Sequence, residues 1–189
     1  MMLSTSASTL KSLRFLFLDD LACCTQLPDG LCQIPNLEFI QIRHAPAIKY
    51  IGPNFVHAQH YHHRLHRPSE RLQTFPRLCK LKFLSMVEWE EWEWEGQADV
   101  QAMPFLEVLS INCCKLRCVP PGLTFHATSL RELTVIHTQC LESLGNFASV
   151  IRLNVEYSPN LVRIAEFPKL QKLSIISCSK LKLLDGVHS

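Results

Sequence analysis

Glycine is scarce in this chain, six among 189 residues, which argues against the glycine-rich loops that cradle phosphate groups. No G-x-x-x-x-G-K-[ST] loop, G-x-S-x-G turn or H-E-x-x-H pair is present, so the signatures of nucleotide hydrolysis, serine hydrolysis and zinc proteolysis are missing. Net charge is equally sparing. At +2 the chain exerts no general pull on nucleic acid or anionic lipid. No apolar run reaches the roughly 18–20 residues of a membrane span. A secretory leader is not evident either: in MMLSTSASTLKSLRFLFLDD, Lys11 and Arg14 interrupt the apolar part, Asp19 and Asp20 follow, and no basic segment precedes it. The nine cysteines are odd in number and lack the spacing of a disulfide framework. A reducing, cytoplasmic or nucleocytoplasmic setting is the corresponding expectation.

What the chain has is a recurring spacing. Leu170–Leu184 reads LQKLSIISCSKLKLL, with apolar residues at Leu170, Leu173, Ile175, Leu181 and Leu184 and a small residue, Cys178, at the ninth place. Leu173 and Ile175 alternate with period two, the mark of a short strand, and the wider gaps bring the chain back to the same core. The template fits again at Val150, Leu153, Val155, Ser158, Leu161 and Ile164, and at Leu130, Leu133, Val135, Thr138, Leu141 and Leu144. It fits once more at Leu37, Ile40, Ile42, Ala45, Ile48 and Ile51. This is a leucine-rich repeat.

Leu13, Leu16, Leu18 and Leu21 open the first copy, and Leu78, Leu81, Phe83 and Met86 the third. Leu106, Leu109, Ile111 and Cys114 open the fourth. The expected fold is therefore an α/β repeat solenoid: a leucine-rich-repeat horseshoe with a parallel β-sheet on its concave face and mostly irregular convex segments. It occupies residues 10–189 in about seven repeats, after a frayed 1–9. Strands are expected near Leu16, Ile40, Leu81, Leu109, Leu133, Leu153 and Leu173, with little helix. No polar capping turn follows Leu184, so a fragment, a truncated product or the tail of a longer chain is the expectation.

Departures from the template are informative. Successive repeat starts lie 20 to 28 residues apart, except for 41 between Leu37 and Leu78. The extra length is assigned to an insertion loop at 52–74. Its run from His57 to Leu72 holds five of the nine histidines; histidines ligate metals, but no fixed pair is joined to a supporting carboxylate. A solvated loop without metal is the expectation. Cys113, Cys114 and Cys118 resemble half a zinc site without its second pair. In VEWEEWEWEGQ, Trp89 and Trp92 take the places of core leucines. Glu90, Glu91 and Glu93 are left to solvent, and Trp94 is expected to be exposed. Phe75, Phe125, Phe147 and Phe167 each precede a strand and are expected to stack as a spine.

Period-two alternation sends Phe39, Gln41, Arg43, Lys80, Lys82, Val108, Ser110 and Asn112 to the concave face, and then the residues of the last three repeats. The candidate binding surface lies in that C-terminal half, where the repeats are most regular: Glu132, Thr134, His137, Arg152, Asn154, Glu156, Tyr157, Lys172 and Ser174. Tyr157 and Arg152 are of the types that dominate interface energy. A varied open face suits a protein partner better than a small substrate, which takes a closed pocket. No catalytic residue, cofactor or metal is assigned.

Several runs narrow the reading further. FPRLCKLKF followed by MVEWEEWEW, then AMPFLEVLSINCCKLRCVPPGL, LGNFASVIRLNV and FPKLQKLSIISCSKLKLL, resemble the C-terminal repeats of plant nucleotide-binding leucine-rich-repeat disease-resistance proteins (the NBS-LRR or NLR class), especially the cereal type. LPDGLCQIPNLEFIQIRHAPAIKYIGPNF is similar too, so the resemblance covers roughly residues 10–187. It implies a module that senses a pathogen effector or a guarded host protein, and that restrains the receptor's nucleotide-binding domain. The coiled-coil and nucleotide-binding domains have no counterpart here, so switching is not implied. A general scaffold, such as the arm of an F-box-type ubiquitin-ligase adaptor or a truncated decoy, is the alternative.

Overall fold

A computed structural model describes residues 10–56, 72–94 and 100–185; the expected frayed segment 1–9 and the histidine-rich run through Arg71 lie outside the described residues. In chain order, β1 (Phe15–Asp19) and β2 (Phe39–Arg43) are followed by the two-residue β3 (Tyr50–Ile51). β4 (Leu72–Thr74) leads into β5 (Lys80–Leu84), with β6 (Glu91–Trp92) and β7 (Val100–Ala102) after it. β8 (Val108–Cys114) and β9 (Glu132–Thr138) flank α1 (Pro121–His126). The last repeats contribute β10 (Ser143–Gly145), β11 (Arg152–Glu156), β12 (Arg163–Ala165), β13 (Lys172–Ile176) and β14 (Leu183–Asp185).

One strand per repeat enters a seven-stranded sheet in the order β1-β2-β5-β8-β9-β11-β13, and every pairing is parallel. Register follows the repeat template residue for residue. Leu16, Ile40, Leu81, Leu109, Leu133, Leu153 and Leu173 stand opposite one another across the whole sheet. Leu18, Ile42, Phe83, Ile111, Val135, Val155 and Ile175 form a second inward file beside them. A slip of one residue would turn both files to solvent, so hydrophobic patterning alone locks the pairing. The five inner members of the first file are buried and the end members, Leu16 and Leu173, half-buried. Full burial of one such side chain contributes about 1.5–3 kcal/mol before entropy is counted.

The rest of each repeat closes the core from the other side. In the three most regular repeats β10, β12 and β14 form a second, three-stranded parallel sheet, with Leu144 and Ile164 buried in the common core. Shorter parallel pairs, β3 with β6 and β4 with β7, do the same earlier in the chain. The long repeat does not disturb the main register, since Ile40 pairs with Leu81 although they lie 41 positions apart. Within the 52–74 interval both described ends are packed: Phe55 and Val56 are buried at the start, and Thr74 at the finish. The Phe75 N–H donates to the Cys32 carbonyl at 2.8 Å, fastening the returning chain to the previous repeat.

Two expectations are corrected. Trp94 is buried, with 1% of its surface accessible. Alternation simply continues past the template, with Trp92 inward, Glu93 outward and Trp94 inward. The burial is completed by α1, which starts at Pro121, where a missing N–H costs a helix nothing. His126 of this helix stacks on Trp94 at 5.5 Å and 4°, and Gly122 lies so close that a Cβ there would sit 2.5 Å from the indole. The phenylalanine spine is also shorter than expected. Phe147 and Phe167 stack at 5.5 Å, and Phe75 packs on Phe55, but Phe125 is 59% exposed. Ala127, three residues ahead of Leu130, is the buried residue in that register.

Candidate functional site

The nine candidate residues fall on three adjacent strands, β9, β11 and β13, and on their exits. Arg152 stands opposite Glu132 on one side and Lys172 on the other, and Asn154 stands between Thr134 and Ser174. All are half-buried or exposed, as outward positions should be. Their polar groups are largely occupied with each other. Arg152 Nη2 lies 2.6 Å from Glu132 Oε1 in an ion pair, so its guanidinium is not a free fork. Asn154 Nδ2 donates to Glu156 Oε1 at 2.8 Å. The rings of His137 and Tyr157 stack at 4.7 Å and 6°. Thr134, Lys172 and Ser174 have no side-chain partner among the described residues.

His137 and Tyr157 reach this position through unusual backbone. Of eleven non-glycine residues with positive φ among the described residues, seven occupy one repeat position: Asp20, His44, Ser85, Tyr157 and Ser177 just past the main strand, and Cys113 and His137 next to the last residue of the longer β8 and β9. A left-handed backbone costs an L-residue about 1–2 kcal/mol, so something must hold it. The holding contact is a backbone bond to the next repeat. Asp20 N–H donates to the Arg43 carbonyl, His44 to Leu84, Ser85 to Asn112 and Tyr157 to Ile176, at 2.8–3.1 Å. The ordered stack thus sustains a row of outward side chains at the strand exits.

Directly after that row lie the ninth-place residues, which point inward. Thr138 Oγ1 and Ser158 Oγ are 2.7 Å apart with both residues fully buried. Ser158 also donates to the Glu156 carbonyl at 3.2 Å, which makes Thr138 the donor in the pair between them. Cys114 holds the same place one repeat earlier, where burial pushes its thiol up to about 11. Among the described residues no three or more His, Cys, Asp or Glu side chains gather as a metal site would require.

The acidic-aromatic run is held in place rather than displayed. Trp89, Trp92 and Trp94 are buried, and Phe83 packs on Trp89 at 4.8 Å and on Trp92 at 5.4 Å. Lys115 Nζ donates to both oxygens of Glu88 at 2.8 Å, and Arg117 to Glu90 at 2.9 Å. The Tyr50 hydroxyl donates to Glu93. Among the described residues of the run, Glu88 and Glu90 are matched by cations, while Glu93 has only a neutral hydroxyl and Glu91 has no side-chain partner.

Sequence reasoning passed over the outward side of β1. Phe15, Phe17 and Asp19 face out while Leu16 and Leu18 face the core. In FLFLD both faces are apolar at four of five positions, which hides the alternation; only the register of the leucine template could have found it. Phe15 and Phe17 are 55% and 61% exposed, Phe15 stands opposite Phe39, and Phe17 packs on Phe39 at 5.2 Å. With Glu38, Cys79, Lys80 and Lys82 they line an open groove of about 440 Å³.

Comparison with known proteins gives no matching family model and no matching solved structure. Curated proteins do match. The chain is 34% identical over 109 residues to the probable disease resistance protein RF45 of Arabidopsis thaliana, covering 53% of this chain and 10% of that protein. The probable disease resistance protein RDL5 of the same plant matches to the same extent. The disease susceptibility protein LOV1, also from Arabidopsis thaliana, is 42% identical over 71 residues, 37% of this chain and 7% of its own. The chain therefore spans about a tenth or less of the length of the relatives it matches. Among the described residues no helix is long and apolar enough to cross a membrane. Over about half of its length, this leucine-rich-repeat solenoid is similar to plant disease-resistance proteins.

Proposed function

We propose that the chain is the protein-interaction module of a plant disease-resistance receptor of the nucleotide-binding class. It takes part there in recognising a pathogen effector or a guarded host protein, and in holding the receptor's nucleotide-binding domain at rest. It acts without catalysis of its own, in the cytoplasm. The observation that carries this reading is the outward face of the seven-stranded sheet, taken with the likeness to disease-resistance proteins. Strands in strict register make that face continuous, yet its side chains change from repeat to repeat: Phe15, Phe39, Lys80, Val108, Glu132, Arg152 and Lys172 share one file. A rigid support with variable side chains is suited to binding a macromolecular surface, where a few residues dominate the energy. Such a face offers no enclosed pocket for a small substrate.

The test is capture, in plant leaf cells, of the nucleotide-binding domain of a disease-resistance receptor by the tagged chain. Arg152→Ala with Tyr157→Ala probes the C-terminal half of the face. The expected result is capture by the wild-type chain and loss in the double variant, with unchanged melting behaviour. Capture that the double variant leaves intact moves the contact off this half. An absence of capture by the wild-type chain overturns the autoinhibitory part of the reading.

A further inference from the structure

We infer that the groove at the N-terminal end of the sheet is a docking site for an extended acidic-apolar segment of a protein partner; this rests on the reading of the chain as an interaction module. The first observation is apolar area. Single exposed hydrophobic residues are ordinary, but Phe15, Phe17 and Phe39 are contiguous across two paired strands. They lie on the side of the sheet away from the core, where folding places no demand for them. The rings form the floor of an open groove rather than a closed cavity.

Charge then selects the occupant. Two of the carboxylates nearby are already matched: Glu38 takes two bonds from Arg14 at 2.8 and 2.9 Å, and Asp19 is held by Arg43, with His44 3.4 Å away. Glu107, whose charge acts on Cys79 at the groove's edge, has no side-chain partner among the described residues. Lys80 and Lys82 on β5 have no hydrogen-bonding or ion-pair partner among the described residues. Lys82 Nζ lies 5.8 Å from the centre of the Phe39 ring, a contact that leaves its N–H donors available. The groove therefore presents an aromatic floor flanked by two unmatched cations. These are two residues apart on one strand, a separation of roughly 7 Å. Carboxylates at alternate positions of an extended peptide have the same spacing, and an intervening or adjacent aromatic side chain can cover the phenylalanines.

Aromatic rings beside lysines also suit single-stranded nucleic acid. That occupant needs a cationic track along the phosphates, whereas the same outward file continues through Val108, Glu132 and Arg152. Arg152 there is spent on Glu132. The acidic protein segment is favoured.

The probe is a fluorescein-labelled peptide, Gly-Ser-Asp-Phe-Asp-Leu-Asp-Gly-Ser, titrated with the full chain and followed by anisotropy. Controls replace every Asp by Asn, or Phe and Leu by Ala. The acidic peptide is expected to bind about tenfold or more tightly than either control, and to weaken as salt is raised. Lys80→Gln with Lys82→Gln, and separately Phe17→Ser, should each weaken it by about tenfold. All these positions are at least partly exposed, and unchanged melting curves will establish that the variants fold. No binding of the acidic peptide overturns the inference. So does binding indifferent to both variants, or equal affinity for a labelled oligothymidylate. Failure here together with capture of the nucleotide-binding domain sinks the groove alone. Peptide binding without that capture supports the groove and counts against autoinhibition.

Discussion

The two halves of the solenoid fill the same kind of core with different side chains. Between Leu37 and Leu106 the repeats are long, and aromatic rings fill their core: Phe55, Phe75, Phe83, Trp89 and Trp92 are buried in mutual contact. From Leu130 onward the repeats start every 20 residues, and aliphatic side chains with one Phe147–Phe167 stack suffice. The difference teaches that register and filling are separate problems. Register comes from two inward positions per strand, which both halves share. Filling is met by different side chains in each half, because close packing permits no void whichever residues supply the volume. Outward chemistry differs as well. Phenylalanines and unmatched lysines mark the N-terminal face, while an Arg152–Glu132 pair and a His137–Tyr157 stack mark the other.

The largest expected effect tests the aromatic half. Trp89 is fully buried, packs on Phe83 and Trp92, and donates from Nε1 to the Glu91 carbonyl at 2.9 Å. Trp89→Ala should destabilise by about 3–5 kcal/mol, read as a lowered urea midpoint. A loss below about 1 kcal/mol would mean that the long repeats are loosely filled. Next comes the aliphatic half. Leu133→Ala should cost about 2–5 kcal/mol, while Thr134→Ala, next to it and outward, should stay within about 0.5 kcal/mol. Equal losses would break the register that both halves share.

A smaller effect tests the row of strained exits. At Tyr157, where φ is 49°, glycine is at ease and alanine is not. Tyr157→Gly should therefore be the more stable of the two truncations, by about 1 kcal/mol. Both lose the His137 stack equally, so the difference isolates the backbone. If the alanine variant proves as stable, the left-handed turn is not held as described.

The smallest effect belongs to acid sensitivity in the N-terminal half. Hydrogen bonds from Arg43, Arg14 and Lys115 hold the carboxyls of Asp19, Glu38 and Glu88 below their ordinary values. A lowered folded-state value stabilises fully above the ordinary carboxylate range and fades as pH falls through and below it. The melting midpoint should thus hold from pH 7 to about 5 and decline below about 4.5. Glu38→Gln with Glu88→Gln should make that decline shallower. These groups are exposed, so the contribution is modest. An unchanged slope in the double variant would assign the acid sensitivity to other groups.

Sequence by itself determined the repeat, the strand positions and the inward files, because a period-two step inside a longer repeat specifies which side chains share a core. It also placed the nine candidate residues on one face, and Trp89 and Trp92 at core positions. It was blind where both faces of a strand are apolar, as at Phe15 and Phe17, since alternation carries no information without contrast. Nor could it foresee the burial of Trp94, which depends on α1, a helix about 28 residues further along with no place in the template. Pairing of outward charges was equally invisible. Arg152 and Glu132 are 20 residues apart in sequence and meet only because parallel strands lie about 5 Å apart. Tertiary structure alone decided which polar groups are spent on each other and which, like Lys80 and Lys82, remain for a partner. The repeat pattern is a local property of the chain, whereas availability at a surface depends on what the neighbouring turn puts beside each side chain.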